Sequence, residues 1–564
     1  MSAPLRIANV SGFYGDRASA MREMLDGGPV DVLTGDYLAE LTMLILARDR
    51  MKDPATGYAK TFLRQLEHCL GTALDRGVTV VTNAGGLNPA GLAQALGALA
   101  GRLGLSPRIA YVTGDDLLAR ADELGFGTPL AANAYLGAWG IAHALRQGAD
   151  IVVTGRVTDA SLVVGPAAAH FGWARDDFDA LAGAVAAGHV IECGAQATGG
   201  NYAFFTEHAI GLPGFPIAEV HADGSSVITK HPGTGGVVNL GTVTAQLLYE
   251  VDSPRYLGPD VTTRLDTIVL AEDGPDRVRI SGVRGQAPPS TLKVGLNSLG
   301  GFRNDVTFLI TGLDVEAKAA LARAQLEASL RRRPPAELVW RLARTDHADA
   351  DGQEEASALL HATVKDADPS VAGRAFSGAA VELALSSYPG FTLLAPPGDA
   401  TPFGVFTSAA VPAEQVPHLV VLPDGTEHTI EPLGPSDRGG LADATPAPAW
   451  TGHGPTRRAP LGLVAGARSG DKGGSANIGV WARSDAAYAW LAATLTADAL
   501  VKLLPEAAGL PVARHLLPNL RAVNFVVDGL LGDGVSAGTR FDPQGKGLGE
   551  WLRSRFVDIP EELL

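Results

Sequence analysis

Carboxylates, amides and one arginine recur at a fixed place in the first third of this chain, immediately after short apolar runs. Ser11 and Asp16 follow Leu5–Val10, Thr34 and Asp36 follow Val30–Leu33, and Asn83 follows Val78–Val81. Thr113, Asp115 and Asp116 follow Arg108–Val112; Thr154, Arg156 and Asp159 follow Ala149–Val153. Acids so placed can donate and accept protons, and an arginine among them can clamp a carboxylate or phosphate. Asp36, Asp115 and Asp159, with Glu192 further on, are the candidate catalytic acids and bases, Arg156 the candidate clamp and Ser11 a candidate substrate contact. Every Ser, Thr, Asp and Asn in the set has a second reading as a helix N-cap, for which these residue types are preferred. Arg156 escapes that reading, because a cation is the wrong charge for a helix N-terminus.

Such residues need a scaffold that gathers five separated points. Each apolar run is short, leads into a polar, glycine-bearing turn, and is followed by a helical stretch. Five such units in succession predict an α/β domain with an open, mostly parallel sheet and flanking helices, since parallel neighbours require helical crossovers. The fullest unit runs from Thr79 to Gly91: a strand, the turn Asn83-Ala-Gly-Gly86, and Pro89 at a helix start. Its backbone N–H groups at Asn83, Gly85 and Gly86 are candidate donors to an anion or oxyanion, although a tight turn needs the same glycines. Ligands of open α/β sheets bind beyond the carboxyl ends of the strands, so the five loops are expected to meet in one crevice.

Further along, Val190–Tyr202 alternates polar residues with glycines, which adds Asn201 to Glu192 as a candidate contact; Cys193 reads as a small buried thiol. Lys230 precedes Pro232-Gly-Thr-Gly-Gly236 and could hold an anion there, but a Walker loop carries its lysine after the glycines. No Gly-x-Gly-x-x-Gly follows the first strand, so a dinucleotide fingerprint is missing. Strands are expected at 266–270, 277–283 and 306–313, helices at 316–332, 354–364 and 379–385, and short strands at 403–406, 419–422 and 427–431. A Pro/Gly/Ala stretch over 434–458 reads as an exposed linker. It separates a large domain, 1–433, whose further division into lobes 1–210 and 211–433 is left open, from a small domain, 459–564. In the small domain a strand, a glycine loop bearing Arg468, Asp471, Lys472 and Asn477, a second strand, a helix at 486–504, a strand at 522–527 and a helix at 547–556 predict a ferredoxin-like α+β fold. Ser469-x-x-Lys472 and Gly534-Val-Ser-Ala-Gly538 mimic hydrolase motifs without the helices those motifs need. Arg468 and Lys472 suit the binding of an anionic group, and their loop is expected to face the large domain or a neighbouring subunit.

Composition narrows the function classes. Of 564 residues 46% are apolar, which requires a large buried interior, and the net charge of -16 argues against a nucleic-acid partner. Two cysteines cannot ligate an iron–sulfur cluster in the usual four-cysteine way, nor build a disulfide framework. No leader pattern and no bilayer-length apolar run is visible, so the expected compartment is the cytoplasm, with no membrane partner. The Asp-bearing loops suit Mg²⁺ no better than they suit capping, and no metal ligands are assigned.

The motifs Asp36-Tyr-Leu-Ala-Glu40, Asn83-Ala-Gly-Gly-Leu-Asn-Pro89, Gly155-Arg-Val-Thr-Asp-Ala160, Glu192-Cys-Gly-Ala-Gln-Ala-Thr-Gly-Gly-Asn201 and Gly233-Thr-Gly-Gly236 resemble the large domain of the acyclic terpene utilisation AtuA family. Arg468-Ser-Gly-Asp-Lys-Gly-Gly-Ser-Ala-Asn477 resembles the ferredoxin-fold domain of its longer members. The resemblance implies work on a small branched or terpenoid acyl substrate, as a coenzyme A thioester, and no cofactor is assigned. Joined to the acids at the strand ends, it suggests an enzyme of proton-transfer chemistry, a hydratase, dehydratase or lyase. The alternative is a non-catalytic ligand-binding or scaffold subunit of an acyl-CoA catabolic pathway, its small domain serving to assemble a homo-oligomer.

Overall fold

The five apolar runs of the first third become strands, four of them buried on both faces, as near-continuous Val/Ile/Leu segments must be, and the one at Ile109–Thr113 buried on alternate residues. In chain order they are β1 (Leu5–Ser11), β2 (Val32–Gly35), β3 (Thr79–Thr82), β4 (Ile109–Thr113) and, after β5 (Ala131–Ala134), a strand outside these runs that pairs with 294–297, β6 (Ile151–Thr154); β7 (Pro216–Val220) and β8 (Ser226–Lys230) follow. The structure is a computed structural model and describes residues 3–433, 446, 448–452 and 454–564. Helices connect the early strands: α1 (Ala20–Asp26), α2 (Glu40–Lys52), α3 (Lys60–Glu67), α4 (Leu70–Asp75), α5 (Pro89–Arg102), α6 (Trp139–Arg146), α7 (Ser161–Phe171) and α8 (Phe178–Ile191), with α9 (Leu240–Leu247) following β8. Helix α5 starts as its sequence demands, with Pro89 in the first turn and the Asn88 side chain accepting from the Gly91 N–H at 2.9 Å.

The sheet is mixed, where a mostly parallel one is expected. Its centre, β1-β2-β3-β6-β4, is parallel in all four pairings. On the β1 side β7, β8, Val278–Ser281 and Val269–Glu272 add antiparallel pairings, and on the β4 side Leu419–Val421 and Glu427–Thr429 do the same, six in all. Three of these pairs, β7 with β8, Val269–Glu272 with Val278–Ser281 and Leu419–Val421 with Glu427–Thr429, are joined by turns too short for a crossover, such as the one around Gly224, and short turns impose antiparallel pairing; the other three join strands distant in the chain. Strands on both sides of residue 210 share this sheet.

Two compact units emerge, one of Met1–Asn297, Phe406–Val535 and Gln544–Leu564, the other of Ser298–Val405 and Ser536–Pro543. In the second, helix Val315–Leu330 packs on a sheet in which Ser357–Asp366 lies between Glu337–Ala343 and Phe302–Thr311. The helix expected over 354–364 is therefore a strand. Its Ala/Leu composition favours a helix, but pairing on both edges overrides that weak preference.

The small domain, apart from Ser536–Pro543, lies in the first unit. Its antiparallel sheet runs Ala465–Lys472, Ser475–Ala482, Ala522–Val527, Val512–Leu517, with helices Asp485–Thr494, Ala497–Leu503 and Leu548–Ser554, a ferredoxin-like arrangement. The single helix expected at 486–504 is two, because Thr496 caps a new start by accepting from the Ala499 N–H. Residues 468–472 form strand rather than loop, and the turn falls on Gly473 and Gly474. Gly470 and Gly479 serve a different purpose: a Cβ at either would come within 2.5 Å of Tyr249 or Leu248, so bare strands let the segment after α9 lie against this sheet. Of the linker expected at 434–458, residues 434–445, 447 and 453 lie outside the described residues, while Thr456–Pro460 pairs with Phe556–Pro560.

Candidate functional site

The loops after β2, β3 and β6 and the C-terminus of α8 deliver a cluster of opposed charges. Asp36, just beyond β2, accepts from Asn83 Nδ2 at 2.6 Å, and Asn83 Oδ1 accepts from the Tyr37 N–H at 2.8 Å, which locks the loops after β2 and β3 together. After β6, Arg156 Nη1 donates to Asp159 Oδ1 at 2.5 Å, and the guanidinium lies 4.2 Å from the Tyr135 ring centroid. At the end of α8, His189 Nδ1 and Glu192 Oε1 are 3.1 Å apart, one turn of helix bringing them onto the same face. Asp36, Arg156, Asp159 and Glu192 lie within electrostatic reach of one another.

The far wall comes from the segment after α9 and from the small domain. Lys472 Nζ donates to the Glu250 carbonyl at 3.0 Å and stands 5.7 Å from the Tyr256 ring centroid. Lys546 Nζ is 3.7 Å from Glu250 and 3.9 Å from Asp471. Glu40 and Lys293 lie at the margin, the lysine over the Tyr135 and Phe406 rings. The cluster lines a recess that water reaches: the side chains of Asp159 and Glu250 are 31% and 37% exposed, against 6% for Arg156.

Burial and mutual repulsion set the protonation states. Burial pushes the Asp36 carboxyl well above its ordinary range, Asp159 adds to the push, and Arg156 and the Asn83 hydrogen bond pull back. Burial likewise raises Glu192, with Asp159 and Glu250 pushing the same way. Burial lowers His189 to about 4, so its imidazole is neutral at pH 7. For Lys472 burial works against the charge, but Asp252 and Glu250 outweigh it and hold the ammonium above its usual value. Glu192 Oε2, His189 Nε2 and Glu40 Oε2 are buried and find no hydrogen-bond partner in the protein. Unsatisfied buried acid oxygens are uncommon and point to a ligand or a working proton.

The remaining candidates divide. Asp115 sits behind the recess, where its Oδ2 accepts from the Arg156 N–H at 2.9 Å and from Asn133 Nδ2 at 2.8 Å, so it shapes the Arg156 loop instead of facing the cluster. Ser11 is buried and donates to the Phe13 carbonyl. The Asn83–Gly86 loop leaves Gly85 as the remaining candidate donor, because the N–H groups of Asn83, Ala84 and Gly86 are taken, bonding to the Gly35 carbonyl, Thr82 Oγ1 and the Asn83 carbonyl. Its glycines answer to packing, since a Cβ on Gly85 would lie 2.4 Å from the Thr154 carbonyl and Gly86 has φ +52°. Lys230 is 3.0 Å from Asp276 and donates to the Thr234 carbonyl, which commits it to the Gly233–Gly236 loop. Asn201 is exposed with φ 56°, a left-handed position that asparagine tolerates. Arg468 stacks 4.5 Å over Tyr249 and donates to Gln196, joining the small domain to the segment after α8. Ser469 and Lys472, three apart on a strand, point to opposite faces, which removes the Ser-x-x-Lys reading.

His189, Glu250, Tyr256, Tyr135, Glu40, Lys293 and Lys546 are the groups that sequence reasoning missed. Two carried a local signal: His189, by its spacing of three from Glu192 on a helical stretch, and Glu40, which closes the motif begun by Asp36. Among the described residues no group of three or more His, Cys, Asp or Glu is arranged to hold a metal ion, and no helix is long and apolar enough to cross a membrane.

Asp115 supports a prediction about stability. Burial raises its carboxyl to about 7 against the hydrogen bonds of Arg156 and Asn133, and the residue is 2% exposed. The folded state therefore holds a proton that the unfolded chain releases near pH 4, so stability falls as pH rises from about 4 to about 7, on the order of 3 kcal/mol. Both donors reach one oxygen, which an amide retains, so Asp115→Asn is expected to abolish that slope and to be the more stable protein at pH 8. Unfolding free energies at pH 5 and 8 check this; a variant weaker at both would show the carboxylate itself to be structural.

Two family models match the chain: acyclic terpene utilisation family protein AtuA over residues 5–422, and the AtuA ferredoxin-like domain over residues 459–558. No curated protein and no solved structure matches it.

Proposed function

The chain belongs to the acyclic terpene utilisation AtuA family, and from that premise and the charged recess we propose that it is a cytoplasmic enzyme moving protons on a branched or terpenoid acyl-CoA thioester. The carrying observation is one pair: Glu192, a buried acid raised well above its ordinary range with an unpartnered Oε2, beside Asp159, ion-paired to Arg156 and reached by water. An acid that holds its proton next to a carboxylate that accepts one is the acid–base pair such chemistry needs.

In hydration of an enoyl thioester, Asp159 takes a proton from water, the oxygen bonds to the β-carbon, and Glu192 delivers a proton to the α-carbon. Proton exchange between the two acids restores the starting state, and dehydration is the reverse. Charge on the thioester oxygen builds up between these steps, and Arg156 and Lys472 are the cations near enough to stabilise it. A lyase would use the same pair on a 3-hydroxyacyl group, Asp159 taking the hydroxyl proton as the carbon–carbon bond breaks and Glu192 protonating the departing enolate.

The test is turnover of a panel of branched and terpenoid enoyl- and 3-hydroxyacyl-CoA thioesters, followed by mass spectrometry, with Asp159→Asn as control. Conversion by the wild type, reduced at least about 100-fold in the variant, is the expected result. Binding of the panel without conversion would instead favour a ligand-binding or scaffold subunit.

A further inference from the structure

Glu250 has an unusual backbone for its residue type. It follows α9 with φ 58°, the left-handed region, where glycine or asparagine ordinarily ends a helix. A side chain in that region carries strain, and strained residues of this kind cluster at functional sites. Here the small domain holds the strain in place: Asn477 Oδ1 accepts from the Glu250 N–H at 2.8 Å and Lys472 donates to the Glu250 carbonyl. Asn477 and Asn524 both donate to the Val251 carbonyl, at 3.1 and 2.8 Å. Asn477 and Asn524 are fully buried, so these bonds are made where water cannot replace them.

The carboxylate gives the backbone nothing in return. Its nearest cation is Lys546, at 3.7 Å, and its side chain opens into the recess. It faces Asp159 from the loop after β6, His189 and Glu192 from α8, Glu40 from α2, and Lys472, Asp471 and Lys546 from the small domain. Burial raises it to about 7, with Lys472 pulling back and Asp159 adding to the rise.

We infer that Glu250 is a further acid–base group of this site and that the small domain, through Lys472, Asn477 and Asn524, exists in part to position it. The inference rests on the acid–base reading of the recess, yet it can be tested without any substrate. A glycine at 250 would relieve the left-handed backbone and a negative charge held among other carboxylates together, so the full-length Glu250→Gly variant is expected to melt at or above the wild-type temperature at pH 8. In infrared titration the carboxyl band lost in Glu250→Gln is expected to titrate near neutrality. Asn477→Ala and Lys472→Met should each speed amide exchange at 249–252, and Lys472→Arg should restore protection. With the acyl-CoA panel, Glu250→Gly and Glu250→Gln should lose at least about 100-fold in turnover. A Glu250→Gly variant that melts clearly lower, or a Glu250 band titrating in the ordinary carboxylate range, overturns the inference, because the carboxylate is then a structural anion. If the wild type converts nothing in the panel, the reaction proposed for the site fails, while melting and titration still decide the case of Glu250.

Discussion

Replacing Arg156 by glutamine is expected to cost about 3 kcal/mol of stability at pH 8 and clearly less at pH 5. The guanidinium is buried, bonded to Asp159 and to the Val157 carbonyl, and placed among Asp36, Glu192 and Glu40. Removing one member of a buried ion pair strands the other charges, which costs about 3–5 kcal/mol in dry settings; the partial exposure of Asp159 favours the lower end. The pH dependence follows from linkage. Asp36 and Glu192 already have folded-state values raised by burial, and losing the cation raises them further. Such groups weaken the fold as pH climbs from the unfolded carboxyl range near 4 through their folded values, so the penalty fades on acidification. Denaturant unfolding of Arg156→Gln and Arg156→Lys at both pH values measures it. A loss of equal size at pH 5 and 8 would mean that packing against Tyr135, and not charge, is what Arg156 supplies.

The half of the recess that could be read in the sequence is the half built locally. Asp36, Asn83, Arg156 and Asp159 each stand within six residues of an apolar run, and a run buried on both faces predicts its own strand and the end at which its loop emerges. Glu192 was visible as an acid among glycines. The opposite wall gave no such signal, because nothing near Glu250 or Tyr256 distinguishes them from solvated polar residues until the small domain closes on them. Lys472 was legible as a cation but not as a strand residue, since glycines at 470, 473 and 474 suggest a loop when their purpose, admitting Tyr249 against Gly470, lies more than two hundred residues away. The antiparallel wings of the sheet and the strand Ser357–Asp366 were obscure for a related reason. Pairing direction and the choice between strand and helix for an Ala/Leu run are decided by neighbours distant in the chain.

Glu192→Gln is the variant expected to separate stability from function most widely. Its side chain is nine-tenths buried and near-isosteric with glutamine, and the His189 contact persists because the amide can still face the ring nitrogen. Burial, Asp159 and Glu250 all favour the protonated acid, so wild-type stability is undiminished at low pH and declines as pH rises through the folded value. Glutamine has nothing to ionise. The melting temperatures of the two proteins should therefore nearly coincide at pH 5 and diverge at pH 8, with the variant the more stable. Turnover should move the other way, by about 10²–10⁴-fold, because an amide cannot supply the proton that a positioned acid contributes. Melting curves at the two pH values, set beside turnover of the acyl-CoA panel, give both readings from one preparation. A variant that melts below the wild type at pH 8 would make Glu192 an anion the fold needs, and the proton would then have to come from Asp36 or Glu250, which are also raised acids of the cluster.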